Sequence, residues 1–457
     1  MFRINRDLCA FSTSGKYFVT AQQQEMVVRD CRTLEDVQTF VFPEVIEYLE
    51  WSPGGQLILC ANLKRAIIQV YSIRNPKWKC KLTQGSSGME KVFWGPNDRS
   101  VLIISDLNVH ISVLTLDDHN LTNIWSLKSS APQNIILNAP HKQLSVIVSK
   151  EGRDWVEIYE TTTWKLTRKL MCDKLFGIDG VSWSPNGELL AIWSSTIEKS
   201  KLLVYSIVTD SHIGAFSDGD RHKNGLSNGI RKIAGEKSIK GIDKVVWSPG
   251  GQLLAIAGYN ETIVIINHVT WTVILSLYCD PVIRESNYLG KVFKEIGVKR
   301  RDWTTDMNSI SILDRHIRHK MQEINERPIN IQIDTIPINW DVSIATIDIM
   351  EFSPCGRFLA VRHQLYPTTA WIWDLVDDCV DYLLLKNSIT GISWEPNKTR
   401  LLVTAESSFI FEWRPRTTAG FFESPKAMKV LNSKWNPEGE VLALQGYNKA
   451  SVIRITD

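Results

Sequence analysis

The sequence predicts an all-β protein, a single closed β-propeller of about nine four-stranded blades, on three observations. A unit reading aromatic-Ser-Pro-x-Gly-x-x-Leu-Ala recurs along the 457 residues, clearest as Trp51-Ser-Pro-Gly-Gly-Gln-Leu57, Trp183-Ser-Pro-Asn-Gly-Glu-Leu-Leu-Ala191, Trp247-Ser-Pro-Gly-Gly-Gln-Leu-Leu-Ala255 and Phe352-Ser-Pro-Cys-Gly-Arg-Phe-Leu-Ala360. Weaker copies start at Phe11, Trp94, Asn138, Trp394 and Trp435, and six of the eight gaps between successive starts are 40 to 45 residues. The chain also holds 17 Trp, many of them at that one place in the repeat. Self-similarity at such a period marks a ring or solenoid of identical units, each unable to bury its apolar face alone.

Each element follows from its residues. An alternating segment ending in the aromatic residue reads as a first strand. Ser-Pro-x-Gly puts Pro and Gly where a type I turn favours them, so it connects that strand tightly to the short aliphatic second. A third alternating segment follows about ten residues later, as in Val27-Val-Arg-Asp30, Ile68-Gln-Val-Tyr71, Val264-Ile-Ile-Asn267, Trp371-Ile-Trp-Asp374 and Phe411-Glu-Trp413. A fourth, less regular strand covers stretches such as 78–82, 164–170 and 273–277. Four short strands per unit with one fixed aromatic make a propeller blade of WD-repeat type. Trp51, Trp94, Trp183, Trp247, Phe352, Trp394 and Trp435 are then blade-core residues and not ligand contacts.

The last unit stops after its third strand, Ser451-Val-Ile-Arg-Ile455, and the first is preceded by a spare strand, Phe2-Arg-Ile4. Pairing Phe2-Arg-Ile4 with the stretch near Val452 to Ile455 would complete the last blade and cover an open edge. Eight blades or two smaller rings are the alternatives, since nine exceeds the usual four to eight. Residues 1–457 thus form one domain with two insertions. The gap of 64 places a surface loop at 218–240, where Arg231, Lys232 and Lys237 belong to a basic run that could meet an acidic partner. The gap of 105 places a larger insertion at 278–340. Within it Ile310, Leu313, Ile317, Met321 and Ile324 recur at helical steps, which predicts a helix over 309–327 whose apolar stripe packs on the propeller or on a partner.

Composition narrows function. With 52 Lys+Arg against 50 Asp+Glu the net charge is +2, too small for a field that gathers nucleic acid or an anionic membrane. The start of the chain lacks the apolar run of a secretory signal, and no window is long and apolar enough to span a bilayer, so an intracellular, soluble protein is expected. Eight cysteines without a C-x-x-C pair fit free thiols in a reducing compartment. Nucleophile-elbow, phosphate-loop, dinucleotide and zinc-protease motifs are all missing. The expectation is a protein that is not an enzyme, with no catalytic, cofactor-binding or metal-binding residues and no cofactor.

Several strings are more specific than the repeat. Val27-Val-Arg-Asp30, Ile58-Leu-Cys-Ala61 followed by Lys64-Arg65, Gln69-Val70, Pro76-Lys-Trp78-Lys-Cys80, Asn267-His-Val-Thr-Trp271 and Trp371-Ile-Trp-Asp374 together resemble the centrosomal and spindle-pole WD-repeat family, whose vertebrate member is encoded antisense to a relative of the p53 tumour suppressor. The resemblance runs from the first repeat to the last. It implies a non-enzymatic scaffold in the cytoplasm and cytoskeleton, at the centrosome or spindle pole. It further implies a coiled-coil spindle-pole or centriolar-satellite partner, minus-end anchoring of microtubules, a role in mitosis and, where cilia exist, cilium assembly. In fungi a kinesin-14 motor joins through the complex, and microtubules are touched indirectly. No family motif fixes partner-binding residues, so the candidates for that role are the stripe Ile310, Leu313, Ile317, Met321 and Ile324 and the basic residues Arg231, Lys232 and Lys237. An adaptor of another machine, such as a translation factor, is the alternative.

Overall fold

Nine antiparallel sheets stand as blades in the computed structural model, which describes residues 1–83, 88–117, 120–175, 177–195, 200–217, 231–233, 239–285, 289–298, 318–333 and 345–455. Blades 1 to 9 span 9–41, 48–83, 91–125, 135–171, 180–217, 244–278, 347–384, 391–423 and 432–454, and in each the strands pair in chain order from innermost to outermost. The described residues contain no α-helix.

The repeated turn is built the same way in the five blades that carry its Ser. In blades 1, 2, 5, 6 and 7 the serines Ser12, Ser52, Ser184, Ser248 and Ser353 each take a backbone N–H five residues on at the side-chain Oγ, at 3.0–3.1 Å. Their carbonyls accept the N–H of Gly15, Gly55, Gly187, Gly251 and Gly356 at 2.8 Å, closing the turn. Where the serine is replaced in blade 9, Asn436 Oδ1 does the same work, accepting from the Val441 N–H at 2.9 Å. The turn glycine has φ near +70°, and it sits over the turn of the preceding blade. A Cβ on Gly251 would meet Pro185, one on Gly356 would meet Pro249, and one on Gly15 would meet Pro437.

That last contact joins blade 1 to blade 9. The strand Phe2–Arg3 supplies the fourth strand of blade 9, pairing antiparallel with Lys449–Arg454 as Phe2↔Ala450 and Arg3↔Lys449. The pairing therefore falls nearer the start of that strand than the expected stretch around Val452 to Ile455. Ile4 explains the offset: its N–H reaches the Asn448 carbonyl at 3.1 Å, and its side chain is buried in one cluster with Cys9 and Phe18 of blade 1 and Ala443 and Ala450 of blade 9. The blades are separate sheets, so the ring closes by packing and not by a ladder running from blade to blade.

Both insertions depart from expectation. Within 218–240, Arg231–Ile233 is a strand that adds parallel to the outer strand Val273–Tyr278 of blade 6; most of that segment lies outside the described residues. Within 278–340 the helix expected over 309–327 is not formed in its described part. Arg318–Glu323 is a strand, paired antiparallel with Leu289–Val298, which in turn lies parallel to the outer strand Cys379–Leu384 of blade 7. A short pair, Val282–Ile283 with Ile329–Asn330, closes the base of the insertion. The open edge of blade 7 offers unpaired backbone groups, and satisfying them overrides a local apolar period that reads as helical.

Candidate functional site

The repeated aromatics hold the blades together. Trp51, Trp94, Trp183, Trp247 and Phe352 are buried, and Trp394 and Trp435 are half-buried. Four indoles donate from Nε1 to a carbonyl on the innermost strand of the preceding blade: Trp51 to Ala10, Trp94 to Glu50, Trp247 to Ser182 and Trp394 to Glu351, at 3.2–3.3 Å. Trp183 instead reaches the Ser145 hydroxyl of blade 4 at 3.0 Å. In these five blades the neighbouring blade supplies the acceptor a buried indole N–H seeks, whereas the indole N–H groups of Trp435, Trp371 and Trp373 are buried without a partner among the described residues.

Of the residues expected to meet a partner, Met321 is buried between blades 7 and 8 in a cluster with Phe293, Leu383 and Phe411. Ile324 is half-buried, and its N–H donates to the Val292 carbonyl at 2.8 Å. Arg231 and Lys232 lie in the strand added to blade 6. Ile310, Leu313, Ile317 and Lys237 lie outside the described residues.

The turns between third and fourth strands emerge at the same end of the blades as the Ser-Pro-x-Gly turns, because alternate connections of an antiparallel sheet share an end. The residue ending the third strand caps this turn. Asp30 Oδ1 accepts the N–H of Arg32 and Thr33, Asn267 Oδ1 those of Val269 and Thr270, and Asp374 Oδ1 those of Val376 and Asp377. This is a side chain imitating a turn's backbone acceptor. On blade 5 the Ser206 Oγ accepts the Thr209 N–H at 3.3 Å instead, and the turns of blades 5, 6 and 7 present Val208, Val269 and Val376 to solvent at 70%, 70% and 62% exposure. The string Asn267-His-Val-Thr-Trp271 acquires a physical meaning here. Trp271 closes the turn with φ +54°, its ring covers Gly214 of blade 5, where a Cβ would lie 2.4 Å from it, and it meets Trp247 edge-on at 6.3 Å.

At this same end, a cleft of about 460 Å³ opens between blades 7 and 8. Arg357, just past the blade 7 turn glycine, donates from Nε and Nη2 to Asp374 at 2.6–3.0 Å and from Nη2 to Asp377 at 2.5 Å. Burial alone would raise the Asp374 carboxyl, but the Arg357 guanidinium and two backbone N–H groups hold it below its ordinary range. Asp381, deeper in the cleft, is pushed up by burial, although it accepts the Lys291 N–H at 2.6 Å and the Trp413 indole N–H at 2.9 Å. Arg416 stands 3.7 Å from Asp377, and Lys291 stands 3.8 Å from Glu323. Every cation lining the cleft thus has a carboxylate beside it, and no histidine lines it. The arrangement suits a rigid, self-neutralised recess for a polar group of a partner. Sequence reasoning passed over it. Its one linear trace is Trp373-Asp374 followed by acidic residues, which reads as turn chemistry alone. No group of three or more His, Cys, Asp or Glu able to share a metal ion occurs among the described residues.

Comparison with known proteins agrees with this architecture. No protein-family model matches the chain. WD repeat-containing protein WRAP73 of Mus musculus is 28% identical over 451 residues, covering 97% of this chain and 92% of that protein. An uncharacterized WD repeat-containing protein of Schizosaccharomyces pombe is 20% identical over 418 residues, covering 88% and 76%. Among solved structures, the C-terminal WD40 domain of Sif2 superposes with a TM-score of 0.50 at 9% identity, covering 100% of this chain and 97% of that one, which speaks to the fold alone. The chain is thus a nine-bladed β-propeller, similar to WD repeat-containing proteins from its first blade to its last.

Proposed function

We propose that this propeller is a non-enzymatic scaffold of the centrosome or spindle pole that, with a coiled-coil partner, anchors microtubule minus ends and supports spindle organisation, and cilium assembly where cilia are present. The observation that carries the reading is the set of strings resembling the spindle-pole WD-repeat family, which extend over blades 1, 2, 6 and 7. The frame suits the task. A stiff ring presents many turns at one end, and modest contacts to a long helix add when they are displayed together. Because the net charge is only +2, attachment to acidic microtubules runs through the partner, with a kinesin-14 motor joining the complex in fungi. Depleting the protein from dividing cells should leave microtubule polymerisation intact while poles lose focus. Affinity purification should recover a long coiled-coil protein. Normal poles after complete depletion, or recovery of ribosomal subunits in its place, would overturn the reading, the second outcome favouring an adaptor in translation.

A further inference from the structure

The outer edges of blades 6 and 7 are each covered by an extra strand from the chain itself, and both additions run parallel to the strand they cover. Blade 2 has the corresponding edge open among the described residues: Lys79–Thr83 pairs on one side only. Beside it lies a groove of about 420 Å³, lined by Val41, Phe42 and Pro43 at the end of blade 1 and by Gln69, Lys79 and Lys81 of blade 2. Lys79 and Lys81 are two apart in a strand, so they project to the same side. Both are exposed, and among the described residues neither has a carboxylate within ion-pair distance. That sets blade 2 apart. On the outer strand of blade 4, Arg168 is paired with Asp210 at 3.0 Å and Lys169 lies over the Trp155 ring at 4.0 Å. On blade 1, Asp36 is taken by Arg29 at 2.7 Å. The groove also keeps apolar surface in water, with Val41 69% exposed.

We propose that this groove and the Lys79–Thr83 edge take an extended acidic segment of a partner protein, added as a parallel fifth strand of blade 2. Backbone pairing supplies the docking, as in other strand-addition complexes. Acidic side chains at alternate positions would enter the groove and face Lys79 and Lys81 beside the apolar wall, while the residues between them would extend the opposite face, where Cys80 and Leu82 pack towards blade 3. A second copy of this chain does not fit, because symmetric pairing would set lysines against lysines. The proposal stands on this edge alone and does not depend on the spindle-pole reading.

The test uses the full chain and three labelled heptapeptides: Asp-Val-Glu-Ile-Glu-Val-Asp, its counterpart with every acid replaced by Lys, and an acidic version with Pro at its second and fourth positions. Fluorescence polarisation should show binding of the first peptide only, weakened at least tenfold by K79E/K81E and progressively by salt. Hydrogen exchange should slow within Lys79–Thr83 when the peptide is present. If K79E/K81E melts low, K79Q/K81Q carries the same comparison without adding charge. Equal binding of all three peptides, binding untouched by either variant, exchange protection at a different blade, or no binding of the acidic peptide at millimolar concentration would each overturn the proposal. The last result would leave the lysines as guards that keep the edge unpaired.

Discussion

His363, at the end of the second strand of blade 7, is fully buried beside Tyr366, whose ring lies 5.4 Å away, and its Nδ1 accepts the Leu365 N–H at 3.1 Å. Its Nε2 has no partner. Burial pushes its pKa down to about 4 from an ordinary 6.5. The neutral ring is therefore favoured in the folded state, and the unfolded chain takes up the proton first as pH falls. Its contribution is fully present above pH 6.5 and is lost between 6.5 and about 4, on the order of 3 kcal/mol in total, with about 2 kcal/mol gone by pH 5. His363→Asn, whose side-chain oxygen can still accept the Leu365 N–H, should flatten this part of the profile in urea denaturation at pH 7 and pH 5. An unchanged acid slope in that variant would assign the loss to other groups.

At the scale of elements, the insertion hairpin of blade 7 is packed as part of the propeller. Phe293 and Met321 enter the core between blades 7 and 8, and the buried Glu295 carboxylate accepts the Lys386 N–H at 2.8 Å. Phe293→Ala should lower stability by about 3 to 5 kcal/mol, the usual cost of emptying a buried aromatic site. A denaturation midpoint shifted by less than the equivalent of about 1 kcal/mol would show the hairpin to be only loosely laid on. This hairpin is also where the sequence misled. The turns could be read because the same few atoms do the same work in blade after blade: a Ser Oγ accepting a fixed N–H, a glycine at positive φ over its neighbour, an indole seeking a carbonyl. Met321 and Ile324 have no such local signature. Their spacing fits a helix, and only the open edge of Cys379–Leu384, far away in sequence, decides for a strand. The cleft between blades 7 and 8 was hidden for a related reason, since Lys291, Arg357, Asp381 and Arg416 come from separate segments that only the blade geometry brings together.

Across the whole molecule, closure rests on a strand of two residues and the cluster around Ile4. Phe2 carries the Arg29 guanidinium over its ring at 4.2 Å, and Ile4 is 3% exposed. Removing residues 1–6 takes away both, with the pairing to Lys449–Arg454, and should destabilise the ring by several kcal/mol, on the scale of about two buried side chains and a few hydrogen bonds. A truncated protein that melts with the full-length one would show that blade-to-blade packing alone keeps the ring shut. The same seam has a consequence during synthesis. Phe2 and Ala450 are 448 residues apart in sequence, so at roughly 5 to 20 residues per second the Phe2–Arg3 strand waits roughly 20 to 90 seconds for its partner. Throughout that interval the nascent chain is an unclosed arc with an unpaired strand at one end. A chain cut short before Lys449 never leaves that state, because neither partner of the Phe2–Arg3 strand is then present.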